Sequence, residues 1–216
     1  MLALYGHPFS SYTWKALIAL YATEKDFEFR EVGPGYPNHA AFVDETHPQG
    51  KFPILRDDDT VIIEATAIIE YLAVAHPGAT TFIPRDPQGA VRTRMIDRVF
   101  DNYVMTNMQR VVSAYIANSN DPDPQEVEAG KRNLQRAYVW LEQWLSNNML
   151  DQHVSLVTCA AAPSLFYADW VEPIPATTPR LAALRAELLD LPEVSRCVED
   201  ARPYRSFFPP GAPDRD

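Results

Sequence analysis

Apolar and polar positions change period several times within residues 1–75. Leu2-Ala3-Leu4-Tyr5 is a short apolar run stopped by Gly6-His7-Pro8, the pattern of a brief strand. Trp14, Leu17, Ile18 and Tyr21 then recur at the i, i+3, i+4, i+7 spacing of one helix face. Ser10 or Ser11 is placed to cap that helix. Phe27 to Val32 alternates apolar with polar, as a half-buried strand does. Gly33 to Asn38 is a loop by composition, followed by a short helical turn around Ala40 to Asp44. Pro53 to Arg56 and Thr60 to Ile63 read as two strands joined by a turn at Asp57-Asp58-Asp59, where Asp tolerates the required backbone. Glu64 to Ala75 reads as a helix with Ile68, Ile69 and Leu72 on one side, giving the order βαβαββα.

His76-Pro77-Gly78 stops that helix, and Pro77, Pro84 and Pro87 mark a linker over 77–88. Beyond it the pattern is helical. Ala90 to Ala117 is one long amphipathic run, broken by Asp121-Pro122-Asp123-Pro124 before a second run from Gln125 to Asn147. Ser155 to Tyr167 is strongly apolar and central to a second core. Pro179 to Leu189 and Pro192 to Ala201 are shorter helices with Pro near the first turn. The tail from Phe207 is Pro-rich and irregular. The chain thus divides into an α/β domain over 1–76 and an all-α domain over 89–216.

Composition narrows the function. Hydrophobic residues make up 46% and charged residues 22%, which excludes disorder as a description of the whole chain. Nineteen Lys and Arg against 29 Asp and Glu leave a formal charge of −10, a poor match for nucleic acid or an anionic membrane surface. No uncharged apolar run reaches about 18 residues, the length a bilayer span needs. The N-terminus lacks the basic region of a secretory signal. Cys159 and Cys197 form no C-x-x-C, which excludes a disulfide scaffold, a zinc ribbon and a dithiol redox enzyme and favours a reducing cytoplasm. No metal-ligand spacing, Gly-rich phosphate loop or Ser/His/Asp order stands out.

Four stretches carry a family resemblance. Ser10-Ser11-Tyr12-Thr13-Trp14-Lys15-Ala16-Leu17 resembles the start of the first helix in glutathione S-transferases, especially the serine-type zeta and theta classes. Gly50-Lys51-Phe52-Pro53-Ile54-Leu55 looks like their cis-proline loop. Glu64-Ala65-Thr66-Ala67-Ile68-Ile69-Glu70-Tyr71-Leu72 is similar to their Glu/Gln-Ser-x-x-Ile-x-x-Tyr-Leu segment. Ser155-Leu156-Val157-Thr158 falls where the family carries a Ser/Thr-x-x-Asp capping box. Two positions depart: Ala65 replaces the usual Ser and Thr158 the usual Asp. The resemblance implies an α/β thioredoxin-like N-terminal domain, an all-α C-terminal domain, glutathione as co-substrate, no metal and a cytoplasmic homodimer.

It also implies a site. Free thiols titrate near ~8.5, and lowering that by about two units takes roughly 2.7 kcal/mol of preferential thiolate stabilisation. A hydroxyl and free N–H groups at a helix start supply it. Ser10 takes that role by likeness to zeta sequences, Ser11 by likeness to theta sequences. A cis bond before Pro53 would present the Phe52 N–H and C=O to the glutathione backbone. Lys51 would meet a carboxylate of glutathione. The N–H groups of Glu64 and Ala65 would hold the γ-glutamyl carboxylate, and the Glu64 side chain its ammonium. His39 would help close the site, and Tyr103, Met108 and Tyr115 would line an electrophile pocket. Each has a plain alternative: helix cap for the serines, trans proline, solvated Lys and His, dipole carboxylate, core aromatic or Met. The leading expectation is transfer of an alkyl or aryl group to the glutathione sulfur. The alternatives are a zeta-like glutathione-dependent isomerase, with Arg94, Arg98 and Arg110 as candidate pocket cations, and a non-catalytic glutathione or ligand-binding protein.

Overall fold

The computed structural model describes all residues except Ala79, Asp151 and Gln152. Its elements are β1 (Leu2–Gly6), α1 (Ser11–Ala22), β2 (Glu28–Glu31), α2 (Pro37–Thr46), β3 (Ile54–Asp57), β4 (Thr60–Ile63) and α3 (Ala65–Ala75), followed by helices alone. These are α4 (Pro87–Val99), a π-helical segment (Phe100–Met105), α5 (Thr106–Ala117), α6 (Pro124–Leu145), α7 (Leu156–Val171), α8 (Pro179–Leu189), α9 (Pro192–Ala201) and a 3-10 turn (Arg202–Phe207). The expected order βαβαββα and the all-helical remainder are both present. Several boundaries move. The residues read as the end of a loop, Pro37 and Asn38, open α2, with Pro in the first turn where its missing N–H costs nothing. The expected linker over 77–88 overlaps α4, which Pro87 opens behind the cap Asp86; Ala79 of that linker lies outside the described residues. The long run from Ala90 is interrupted by the π-helical segment.

The sheet order is β2-β1-β3-β4, with β1 parallel to β2 and antiparallel to β3. β1 is therefore interior to the sheet and buried along its whole length. Its period-2 alternation divides the residues between two faces. Leu2 and Leu4 join α1 and α3 residues such as Leu17, Ile68 and Leu72, whereas Ala3 and Tyr5 pack with Val43 of α2. Gly6 ends β1 where a Cβ would sit 2.5 Å from the Thr13 side chain, so only glycine lets the strand end close on the first turn of α1.

The core on the α1 side does not stop at the helical half. Trp14 and Leu17 share one buried cluster with Leu165, Phe166 and Tyr167 of α7. α7 is buried at every position. Its start is a capping box: the Ser155 hydroxyl accepts from the Thr158 N–H at 3.3 Å, and the Thr158 hydroxyl accepts from the Ser155 N–H. Thr158 thus does the capping work of the family's Asp with a hydroxyl.

Candidate active site

The β1–α1 loop is held from both halves of the chain. The His7 N–H donates to Thr13 Oγ1 at 3.3 Å and the Phe9 N–H to His7 Nδ1 at 3.1 Å. Trp14 Nε1–H donates to the Pro8 carbonyl at 2.5 Å, and the Tyr167 hydroxyl to the Phe9 carbonyl at 3.1 Å. These contacts fix the residues that lead into Ser10, the N-cap of α1. Ser10 Oγ accepts from the Thr13 N–H at 3.3 Å. A hydroxyl that caps by accepting keeps its own proton free to donate. Ser10 is half-buried, whereas Ser11 is 5% exposed. Burial lowers the His7 pKa, with Glu31 opposing that shift.

The second helix start is that of α3. Glu64 is its N-cap, with φ at 71° and no side-chain cap bond, so its side chain satisfies none of the first-turn N–H groups. An open cavity of about 420 Å³ lies there, lined by Tyr12 from α1, Glu64 to Ala67 and Glu70 from the α3 end, and Arg98 and Asp101. Asp101 is 7% exposed, and its Oδ1 has no partner among the described residues. Burial pushes its carboxyl pKa up, with Lys15 opposing. Burial, reinforced by Asp101, pushes the Tyr12 hydroxyl up to about 12, so it stays protonated at neutral pH. The cavity therefore joins an uncapped helix start to the Glu64 and Asp101 carboxylates.

Behind the cavity sits a buried ionic cluster. Lys15 is fully buried, and its Nζ donates to Asp97 Oδ1 at 2.5 Å, Asp101 Oδ2 at 2.7 Å and Thr66 Oγ1 at 2.8 Å. Arg98 caps the group from outside through Asp97 and Asp101. Thr66 is thereby committed inward, which leaves no hydroxyl at the α3 start to replace the one Ala65 lacks. Ala65 itself is buried.

The Phe52–Pro53 bond is cis, as the resemblance implies. Lys51 is exposed and Phe52 half-buried. His39 donates its Nδ1–H to the Glu31 carbonyl at 2.8 Å, stacks on Tyr36 and meets Tyr5 edge-on. The three expected electrophile-pocket residues are not brought together. Met108 is 2% exposed because α5 turns it into the core, and Tyr115 packs against that core. Tyr103 is exposed and lines a different cavity with Asn107, Asn133 and Trp140. None of the three lines the cavity that holds Tyr12 and Glu64. Of the candidate arginines, Arg98 does line it, whereas Arg94 pairs with Glu70 and Arg110 with Glu126.

Sequence reasoning missed Lys15, Asp97 and Asp101 as a group. The available signals were a lysine inside an apolar helix run and two aspartates four apart on a stripe otherwise set by Ile96, Phe100 and Val104. A cavity of about 500 Å³ between α6 and α8, lined by Leu145, Leu184 and Leu188 among others, holds none of the expected site residues. Among the described residues no group of three His, Cys, Asp or Glu side chains could hold a metal, and no helix is long and apolar enough to cross a membrane.

Comparison with known proteins places this geometry. Residues 4–80 match the family model described as glutathione S-transferase, N-terminal domain. A Caenorhabditis elegans protein named "Probable maleylacetoacetate isomerase" is 34% identical over 93 residues, 43% of this chain and 43% of that protein. A Vibrio cholerae protein of the same name is 25% identical over 213 residues, 94% of this chain and 97% of its own length. The crystal structure of glutathione transferase F7 from Populus trichocarpa superposes with TM-score 0.79 at 21% identity, covering 93% of this chain and 99% of that one, which is a likeness of fold. Residues 4–80 thus carry a glutathione S-transferase N-terminal domain, and along nearly its whole length the chain is similar to a protein named as an isomerase and shares the fold of a glutathione transferase.

Proposed function

We propose that the protein is a glutathione transferase that activates the glutathione thiol for attack on a small apolar electrophile. The observation that carries the reading is the α3 start: uncapped N–H groups beside two carboxylates, one with an unpartnered oxygen. An α-amino acid head has the complementary charges, a carboxylate for the amides and an ammonium for Glu64 and Asp101. The γ-glutamyl end of glutathione is such a head. Phe52 then pairs with the peptide backbone, and Lys51 faces the glycyl carboxylate. The sulfur lies at the α1 start, where Ser10 donates its hydroxyl proton and the helix dipole favours the anion. The reactive sulfur is the ligand's, which suits a chain whose own cysteines are both buried with thiols pushed up by burial.

A glutathione-affinity column with a thiolate absorbance titration tests this. The protein is expected to be retained, with the bound thiol titrating about two units below free glutathione. Retention with an unshifted thiol supports the non-catalytic binding protein instead; no retention rejects both. The electrophile is found by assaying halogenated aromatics, epoxides, isothiocyanates and peroxides, the compounds a detoxification enzyme meets.

The names of the two isomerase relatives favour a second reading, glutathione-dependent cis–trans isomerisation. In it the thiolate adds to a double bond, rotation follows, and the thiolate leaves. Arg98 supports it as the cation on the cavity wall. A cis-dienoic diacid turned over without consumption of glutathione, while the electrophile panel stays inert, makes this the activity.

The homodimer remains part of the proposal. Val91, Met95 and Tyr103 are exposed along the α4 and π-helical face, next to exposed Trp140 of α6. Exposed apolar side chains grouped this way suit an interface. Sedimentation at micromolar concentration is expected to give twice the chain mass, and a monomer rejects the dimer. Two buried free thiols support the cytoplasm as its compartment.

A further inference from the structure

We propose that His47 is a positioning residue for Glu64, and so sets how tightly the ammonium end of glutathione is held; this rests on the glutathione reading above. His47 closes α2 as its C-cap and is only 9% exposed. Its Nδ1 accepts from the Gln49 N–H at 3.1 Å. An imidazole that accepts at Nδ1 is neutral and carries its one proton at Nε2. That Nε2 lies 3.8 Å from Glu64 Oε1. The ring is therefore locked on one side by a backbone amide and aims a donor at the Glu64 carboxylate on the other.

Glu64 needs such a partner. Its side chain is 74% exposed, it makes no cap bond, and its backbone is in the left-handed region at φ 71°. Left alone, a flexible exposed carboxylate samples several rotamers and loses side-chain entropy when it meets an ammonium. A donor fixed by burial restricts it beforehand, which is preorganisation of a binding group. The other charged groups lining the α3 start are Glu70, Arg98 and Asp101, and Arg98 is committed to Asp97 and Asp101. His47 is the donor group that the structure places nearest the Glu64 carboxylate.

The test separates the two ring nitrogens. His47→Asn keeps an acceptor for the Gln49 N–H but does not reach Glu64. His47→Gln places an amide donor near the former Nε2. Binding is measured by calorimetry for glutathione and for its deamino analogue, which lacks the ammonium. His47→Asn is expected to raise the glutathione Kd about three- to fivefold and leave the deamino Kd within about twofold. His47→Gln is expected to recover most of the loss. In a Glu64→Gln background the His47→Asn effect on glutathione is expected to vanish, because the two residues act as one unit. An unchanged glutathione Kd, equal weakening of both peptides, or an effect that persists without the Glu64 charge overturns the proposal. A wild-type protein that binds neither peptide overturns the glutathione reading, and this one with it.

Discussion

Lys15→Met is expected to lower the free energy of unfolding by about 3–5 kcal/mol, the cost of leaving a buried charge without its partner. Methionine keeps most of the length of the side chain, so the loss is chiefly electrostatic rather than a cavity. Asp97 is fully buried and Asp101 nearly so, and both take their inner hydrogen bond from Lys15. Arg98, half-exposed, is the cation that remains. Because Lys15 lies on α1 and the aspartates on the second half of the chain, the cluster also binds the two halves together. Urea unfolding of the wild type, Lys15→Met and Lys15→Met/Asp101→Asn checks this. The double variant is expected to lose less than the single, since one of the two carboxylates left stranded is gone.

The pH dependence of the single variant follows from the same burial. Burial raises the folded-state carboxyl pKa of Asp101, and Lys15 is the group that pulls it back. Without Lys15 the folded value rises further above the unfolded value near ~3.9. A raised carboxyl contributes stability below the unfolded value and loses it as pH rises through the folded value. The deficit of Lys15→Met is therefore full at neutral pH and shrinks on acidification. A Lys15→Met protein as stable as wild type at neutral pH shows that no buried ionic network exists.

Ser10→Ala is expected to cut turnover about 100-fold, the scale of losing one donor to a developing or stabilised anion. Glutathione affinity is expected to change little, since the proposed site holds the peptide through Phe52, Lys51 and the α3 start. The same substitution removes the N-cap of α1, which costs about 1 kcal/mol of stability. The two losses are separable, because a cap defect shows in urea unfolding and a donor defect in kcat and in the pKa of the bound thiol. Ser11→Ala is expected to leave kcat near wild type. The reverse pattern transfers the donor role to Ser11. Wild-type turnover in both single variants and in the double variant removes the serines from the chemistry.

What the sequence made legible was local. Two of the helices that open on proline, α8 and α9, stand at the residues their pattern predicts, because a proline at the start and an apolar stripe need no distant partner. The β3–β4 hairpin is set by Asp58-Asp59, with Asp58 at φ 50°. α2 is longer than its pattern predicts, because Pro37 looks the same in a loop as in a first helical turn. The π-helical segment has no local signature. It makes sense only with Lys15 in place, since it carries Asp101 inward toward a residue 86 positions away. The serines, the proline loop and Glu64 were readable as motifs, yet the orphaned Asp101 oxygen and the aim of His47 are facts of packing. The expected electrophile residues failed for the same reason: spacing puts Met108 on a helix but does not say which side faces inward.

The concealment of both thiols has a practical consequence. A catalyst of the proposed kind, working on alkylating compounds, risks modifying itself. Here Cys159 and Cys197 have no exposed surface, and burial keeps both sulfurs in their unreactive, protonated form. Labelling by a maleimide therefore has to wait for the fold to open, and its rate becomes a clock for that opening.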